Sequence, residues 1–186
     1  MTGPPTRSTA RLILRAPEPA DIDRLFEIES NAEAMKYTIG SSTREQTEVH
    51  IGKYAARFAE DGYAPWTAVL LEEDRIVGWG GLNKDPDEPE WGTEVTYYFD
   101  QAYWGRGLAG ELVRESLALA FEDLGLEHVG AFARPENAAS VRVLIKNGFE
   151  QVRFVEELER HEYRISAKRW RSLCATSWRR ESSVRQ

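Results

Sequence analysis

The sequence predicts a mixed α/β domain arranged around one central sheet, and three observations support it. First, the β-branched and aromatic run 93–99 leads through a glycine-rich turn, Trp104-Gly105-Arg106-Gly107-Leu108-Ala109-Gly110-Glu111, into an amphipathic helix and then a further strand, 126–133. A strand, crossover helix and strand of this length close as a right-handed unit, so the two strands run parallel. Second, the strand-like runs 66–71 and 75–82 are joined by Glu72-Glu73-Asp74, which makes an antiparallel hairpin. Third, 186 residues with 41% hydrophobic content suit one domain, and no apolar run approaches the roughly 20 residues that span a bilayer.

Taken in order, residues 10–15 alternate, with Leu12 and Leu14 on one face, and form an opening strand that Pro17 and Pro19 end. Ile22, Leu25 and Phe26 fall at helical spacing and place a first helix over about 20–30, followed by irregular chain to Gly40. Thr43-Arg44-Glu45-Gln46 is a capping box, so a second helix begins there and runs to about Glu60, before Asp61-Gly62. Beyond the hairpin, Asp85-Pro86-Asp87-Glu88-Pro89-Glu90 is too acidic and proline-rich for regular structure and forms an exposed loop.

In the helix after the glycine turn, Val113, Leu117, Ala120, Phe121 and Leu124 share the buried face and Gly125 supplies the stop. A short helix over 137–147 turns Val141, Leu144 and Ile145 inward and closes at Gly148. A strand over 149–155, an antiparallel return over 158–165 and a terminal helix over about 167–178 complete the domain. Residues 1–9 and 179–186 are expected as flexible tails, the second of them basic, leaving 10–178 as the domain.

Charge and composition exclude several functions. Cys174 is the single cysteine, so no internal disulfide forms, and His50, His128 and His161 lack metal-ligand spacing, which predicts no metal site. The net charge is −7 although Lys168, Arg169, Arg171, Arg179, Arg180 and Arg185 crowd the C-terminal end. An acidic body argues against nucleic acid and is compatible with cationic amine substrates. The polar start of the chain lacks a signal-peptide core, so a cytoplasmic location with no membrane partner is expected.

The glycine turn reads as a pyrophosphate cradle. Gly105 and Gly107 can take positive φ, so consecutive N–H groups converge on an anion at a helix N-terminus, and Arg106 adds positive charge. Gly105 to Gly110 also matches the dinucleotide pattern GxGxxG, yet five residues separate it from its strand and the next strand ends in Arg134 rather than in a ribose-binding acid. No Lys-Ser/Thr follows the glycines, so a Walker loop is excluded.

The same turn, with Asn137-Ala138-Ala139-Ser140 and Lys146-Asn147-Gly148-Phe149 about thirty residues later, resembles the GNAT superfamily of acyl-CoA-dependent N-acetyltransferases. Tyr103 to Ala109, with Trp104 where other members carry Arg or Gln, looks most like the RimJ/RimL branch of protein N-terminal acetyltransferases. The resemblance spans residues 10–165 and implies a strongly twisted mixed sheet of about seven strands with flanking helices. In that fold two parallel strands splay apart in a V, and acetyl-CoA lies in the opening. It also implies that backbone near Tyr98 and Phe99 pairs with the pantetheine arm, that the N–H groups of Trp104, Gly105, Arg106, Gly107, Leu108, Ala109 and Gly110 hold the pyrophosphate, and that Asn137 contacts the arm.

Acetyl transfer to an amine needs a neutral amine, a donor to the carbonyl oxygen and a proton for the departing thiolate. Many family members place a tyrosine seven residues after the asparagine as proton donor, but that position is Leu144; Ser140 matches the serine of the RimL-like branch. Its alternative role is to satisfy backbone groups in a first helical turn. Glu94, on the strand beside the thioester, is the first candidate base, acting through water, with Glu156 and Glu157 and then Glu29 and Glu33 as alternatives. Trp66, Trp79, Trp91 and Tyr97 can wall an acceptor cleft or belong to the core, and the acidic loop 85–90 can guide a positive substrate or simply be solvated. Tyr163 and Trp170 read most simply as packing residues.

The expected acceptor is a protein or peptide α-amine; the alternatives are a small amine (polyamine, amino acid or aminoglycoside) or a non-catalytic acyl-CoA-binding module. Monomer and homodimer both remain open.

Overall fold

The computed structural model describes residues 4–38 and 40–183, with side chains through residue 175. Eight strands form one sheet: β1 (Arg7–Ser8), β2 (Leu12–Arg15), β3 (Trp66–Leu70), β4 (Arg75–Asn83), β5 (Glu94–Phe99), β6 (His128–Ala133), β7 (Glu150–Val155) and β8 (Arg160–Ser166). Their order is β1-β2-β3-β4-β5-β6-β8-β7, antiparallel throughout except for β5 and β6. The predicted hairpin is β3–β4, with Asp74 at φ 46° in its turn.

The helices are α1 (Ile22–Glu29), α2 (Arg44–Ala56), α3 (Phe58–Asp61), α4 (Leu108–Ala118), α5 (Ala138–Lys146) and α6 (Ala167–Ser183). Thr43 caps α2 through the expected box, and Gly62 and Gly125 stop their helices at φ 76° and 65°. A break at Arg57 separates α2 from α3, and α4 ends in a π-helical turn, Leu119–Asp123.

Two expectations are corrected. Arg7 and Ser8 lie in the predicted N-terminal tail, yet they pair with Leu14 and Ile13 as an eighth strand. A two-residue strand is too short to show periodicity; its anchor is tertiary, from Arg7 to Glu115 and Asp123. Helix α6 also runs to Ser183 rather than ending near Trp178, so much of the predicted C-terminal tail is helical; residues 184–186 lie outside the described residues. Arg169 ties this helix back by donating to the Gly148 carbonyl at 2.6 Å and pairing with Glu150 at 3.0 Å.

Strand alternation sorts the core onto the two faces of the sheet. Val95 and Phe99 join Leu112, Val113, Leu117, Leu144 and Phe149 beneath α4 and α5, with Tyr97 packed against them. Tyr98 points the other way, joining Ile22, Leu25, Ile28, Ile51 and Trp79 beneath α1 and α2. This division sets which residues reach the site from each side.

Candidate active site

The site begins where the sheet parts. The β5–β6 register holds one pair, Glu94 with Gly130, and the Gly130 N–H donates to the Thr93 carbonyl at 2.9 Å. Beyond it the two parallel strands diverge, so β5 loses its partner on that edge. The cleft that opens there, about 80 Å³, is lined among others by Glu94, Tyr97, Asn137, Ser140, Leu144 and Arg160.

At the far end of β5 the chain makes the glycine turn. Gly105 and Gly107 adopt φ 73° and 81°, the left-handed region, and Gly107 is the N-cap of α4 with no side chain capping it. The first N–H groups of α4, from Leu108, Ala109 and Gly110, therefore have no capping acceptor from the N-cap side chain. Leu108 is buried and Ala109 packs on the core, which fixes the helix start. A parted strand edge running into such donors fits a long arm ending in a pyrophosphate.

Two side chains of the turn have partners outside it. Arg106 pairs with Glu72 at 3.8 Å and Glu73 at 3.5 Å while lying over the Tyr103 ring. Trp104 is half exposed, and its indole N–H donates to the Phe99 carbonyl at 2.8 Å, leaving that oxygen one free lone pair. The Tyr98 side chain is committed elsewhere, donating to Glu29 at 2.8 Å.

On the α5 side, Asn137 is the N-cap of α5 and accepts from the Ser140 N–H at 3.1 Å. That satisfies the Ser140 backbone and leaves its hydroxyl for another partner, the Tyr97 phenol at 2.9 Å. Burial pushes the phenol up to about 12, against the opposing effect of the Ser140 hydrogen bond, so it holds its proton near neutral pH. Leu144 is buried and lines the cleft without a hydroxyl.

Glu94 lies on the opposite face. It accepts from the Asn83 side-chain amide at 3.2 Å, and it is partly buried where it lines the cleft. Desolvation therefore dominates: its carboxyl is raised to about 7, with Asn83 and then the charge of Arg160 acting in the other direction. Arg160 shares this face, and burial lowers its own pKa while Glu94 opposes the change. The outer mouth, about 390 Å³, is lined by Lys36, Tyr37, Thr38, Arg134, Glu136 and Arg160.

The other candidates separate cleanly. Glu29 is fully buried beneath α1, away from the cleft lining, while Glu33, Glu156 and Glu157 do not line it either. Trp66 and Trp79 are core residues. Trp91 packs edge-on against Phe132 and carries Arg153 over its ring at 5.6 Å. In the acidic loop, Asp87 pairs with Lys53 of α2 at 2.9 Å and Asp85 accepts from the Asp87 N–H at 2.8 Å, while the charge of Asp85 adds to the rise at Glu94. Tyr163 is buried in the core, and Trp170 packs against it.

Sequence reasoning missed Tyr97 as a partner for Ser140, and it missed Tyr37, Thr38, Arg134 and Arg160. Alternation alone puts Tyr97 opposite Glu94 on the α5 face, a signal that was present. Nothing local marks the four others, which converge from the segment after α1, the end of β6 and the start of β8.

A parted parallel pair, an uncapped glycine turn at one end, and a carboxylate and a hydroxyl on opposite walls are compatible with acyl transfer. Residues 11–150 match the acetyltransferase (GNAT) domain family, and the chain belongs to it. It is 29% identical over 150 residues to the uncharacterized N-acetyltransferase YoaA of Bacillus subtilis (strain 168), covering 79% of this chain and 84% of that one. A GNAT-family acetyltransferase structure from Bacillus anthracis superposes with a TM-score of 0.74 at 25% identity, covering 88% and 99% of the two chains. RimL, a ribosomal L7/L12 alpha-N-protein acetyltransferase solved with coenzyme A, superposes with a TM-score of 0.70 at 15% identity, covering 86% of this chain and 96% of its own, a likeness of fold. The protein is thus a GNAT N-acetyltransferase, of a family whose members bind acetyl-CoA and an amine acceptor. Among the described residues no helix is long and apolar enough to cross a membrane.

Proposed function

We propose that the protein transfers an acetyl group from acetyl-CoA directly to a primary amine, with Glu94 as the water-mediated base and Ser140, backed by Tyr97, serving the leaving thiolate. The observation that carries this reading is the division of the cleft at the Glu94–Gly130 pair: a carboxylate raised to about 7 on the α1–α2 face, a hydroxyl pair on the α4–α5 face. Acetyl-CoA supplies the activated thioester. The N–H groups of Trp104 to Gly110 and the parted edge of β5 near Tyr98 and Phe99 would hold it, with Asn137 beside the arm.

The amine enters from the Glu94 side. Glu94, its carboxyl raised to about 7, takes the ammonium proton through water in its ionised form and frees the lone pair that forms the C–N bond. As the C–S bond breaks with its electron pair on sulfur, the acylated nitrogen sheds its extra proton to water to leave the neutral amide, and the Ser140 hydroxyl donates to that sulfur. A thiol with pKa of about 8.5 leaves readily, so a hydrogen bond suffices until solvent restores the proton. Tyr97 orients the Ser140 hydroxyl and, held protonated, does not compete as an anion. The favoured acceptor is a protein or peptide α-amine, a reading supported by the branch resemblance of residues 103–109 and by the RimL-like fold.

The test is release of CoA thiol across a panel of peptide N-termini and small amines. The wild type is expected to turn over, and Ser140→Ala and Tyr97→Phe to lower kcat roughly 10- to 100-fold with acetyl-CoA affinity unchanged. Acetyl-CoA binding with no acetylation anywhere in the panel would favour the non-catalytic module.

A further inference from the structure

Arg160 is unusual among the cations of the cleft. Arg134 pairs with Glu159 at 2.8 Å, and Lys36 lies 3.9 Å from Glu33. Arg160 lines both the inner cleft and its mouth, yet no ion pair or hydrogen bond engages its guanidinium among the described residues. The mouth's own carboxylate, Glu136, is solvent-exposed and does not pair with it. Arg160 and Glu94 feel each other's charge but form no ion pair, so a gap separates the base from a free planar fork of donors.

A half-buried guanidinium without a partner forgoes much of its hydration for no compensating contact. Its geometry matches a carboxylate, which accepts two parallel N–H bonds. Strand register explains the placement: His161 pairs with Ala133, so Arg160 begins β8 beside the end of β6 and faces the Glu94 side of the sheet. An acceptor entering there would set its amine toward Glu94 and its anion toward Arg160.

Resting on the amine-transfer reading above, we propose that Arg160 selects acceptors carrying a carboxylate within a few bonds of the reacting amine. Two sources supply that chemistry, the α-carboxylate of a free amino acid and the side chain of an N-terminal Asp or Glu in a peptide. Polyamines carry none. The specificity is thus opposite to what the acidic net charge and the 85–90 loop suggest, because the charges lining the cleft, not the total, act on a bound substrate.

The experiment compares matched acceptors on the full-length chain with saturating acetyl-CoA: serine against serinamide, peptides opening with Asp or Glu against the same peptides opening with Asn or Gln, and spermidine. The wild type is expected to prefer the carboxylate member of at least one pair by about 10- to 100-fold in kcat/KM. Which pair shows the preference identifies the source. Arg160→Gln is expected to erase that preference through KM, and Arg160→Lys to retain part of it. Rates are compared on the high-pH plateau, because Arg160 holds the Glu94 carboxyl down and its loss moves the inflection upward for every acceptor. Equal rates within both pairs, or an Arg160→Gln loss shared equally by charged and neutral acceptors, would overturn the proposal and leave acetyl transfer standing. Silence across all acceptors, with acetyl-CoA still bound, would instead remove the amine-transfer reading and this one with it.

Discussion

At the scale of single residues, the base role proposed for Glu94 sets a conflict between activity and stability. Its folded carboxyl titrates at about 7, raised chiefly by burial, whereas an unfolded glutamate titrates near 4.3. The folded protein therefore binds more protons than the unfolded chain between these values. The stability Glu94 contributes is fully present below the lower value and is lost as pH rises through the upper one. The proposed base role needs the opposite form. The expected kcat/KM profile rises with pH through about 7 to a plateau, and Glu94→Gln removes that inflection while lowering kcat/KM by roughly 10²- to 10⁴-fold. The same variant is expected to resist urea better than wild type at pH 8, by up to about 3 kcal/mol, and to match it near pH 4. Urea melts at the two pH values check the sign; a variant weaker than wild type at pH 8 would mean that Glu94 is held as a structural ion.

At the scale of elements, the glycine turn shows what local sequence can encode. Gly105 and Gly107 were legible because left-handed backbone favours glycine, and the Thr43 box because a cap is satisfied within three residues. The direction of Arg106 was not legible, since Glu72 and Glu73 reach it from a distant hairpin turn. Nor was the break at Arg57, where helical spacing continues through the chain. These differences yield a paired expectation. Gly107→Ala forces a Cβ into the left-handed region, at about 1–2 kcal/mol, and brings it 3.4 Å from Arg11. Acetyl-CoA binding should weaken about tenfold, with kcat at saturation nearly unchanged. Arg106→Ala, whose charge already faces two glutamates, should change the affinity less than about threefold. Calorimetric titration separates the two, and a larger loss for Arg106→Ala would restore the arginine to the phosphate site.

At the scale of the whole molecule, periodicity revealed the longer strands and helices but not how two halves of the sheet come to enclose a cleft. The parting of β5 from β6 is a property of long-range pairing, and so are the Tyr97–Ser140 contact and the placement of Arg160. The acceptor-side layer is likewise fastened by a tertiary device. The Glu29 carboxylate, fully buried, accepts from Thr47, His50 and Tyr98 at 2.8 Å each and from Ser41, so one side chain joins α1, α2, the intervening loop and β5. Burial alone would raise its pKa, but the bonds from His50, Ser41 and Thr47 outweigh burial and hold it below the usual value. A depressed carboxyl contributes stability above its unfolded pKa, and that contribution is lost as pH falls through the folded value. Glu29→Gln turns an amide N–H₂ toward donors that need an acceptor, so it should cost about 2–4 kcal/mol at pH 7. The gap from wild type should narrow as pH falls below about 4, which urea melts at both pH values measure. In the proposed reading α1 and the loop bearing Lys36, Tyr37 and Thr38 form the acceptor side, so the variant should raise KM for the amine. Acetyl-CoA affinity, built on β5 and α4, should hold. A stability gap equal at both pH values, or a loss of acetyl-CoA affinity with the amine KM unmoved, would show that Glu29 does not fasten that layer.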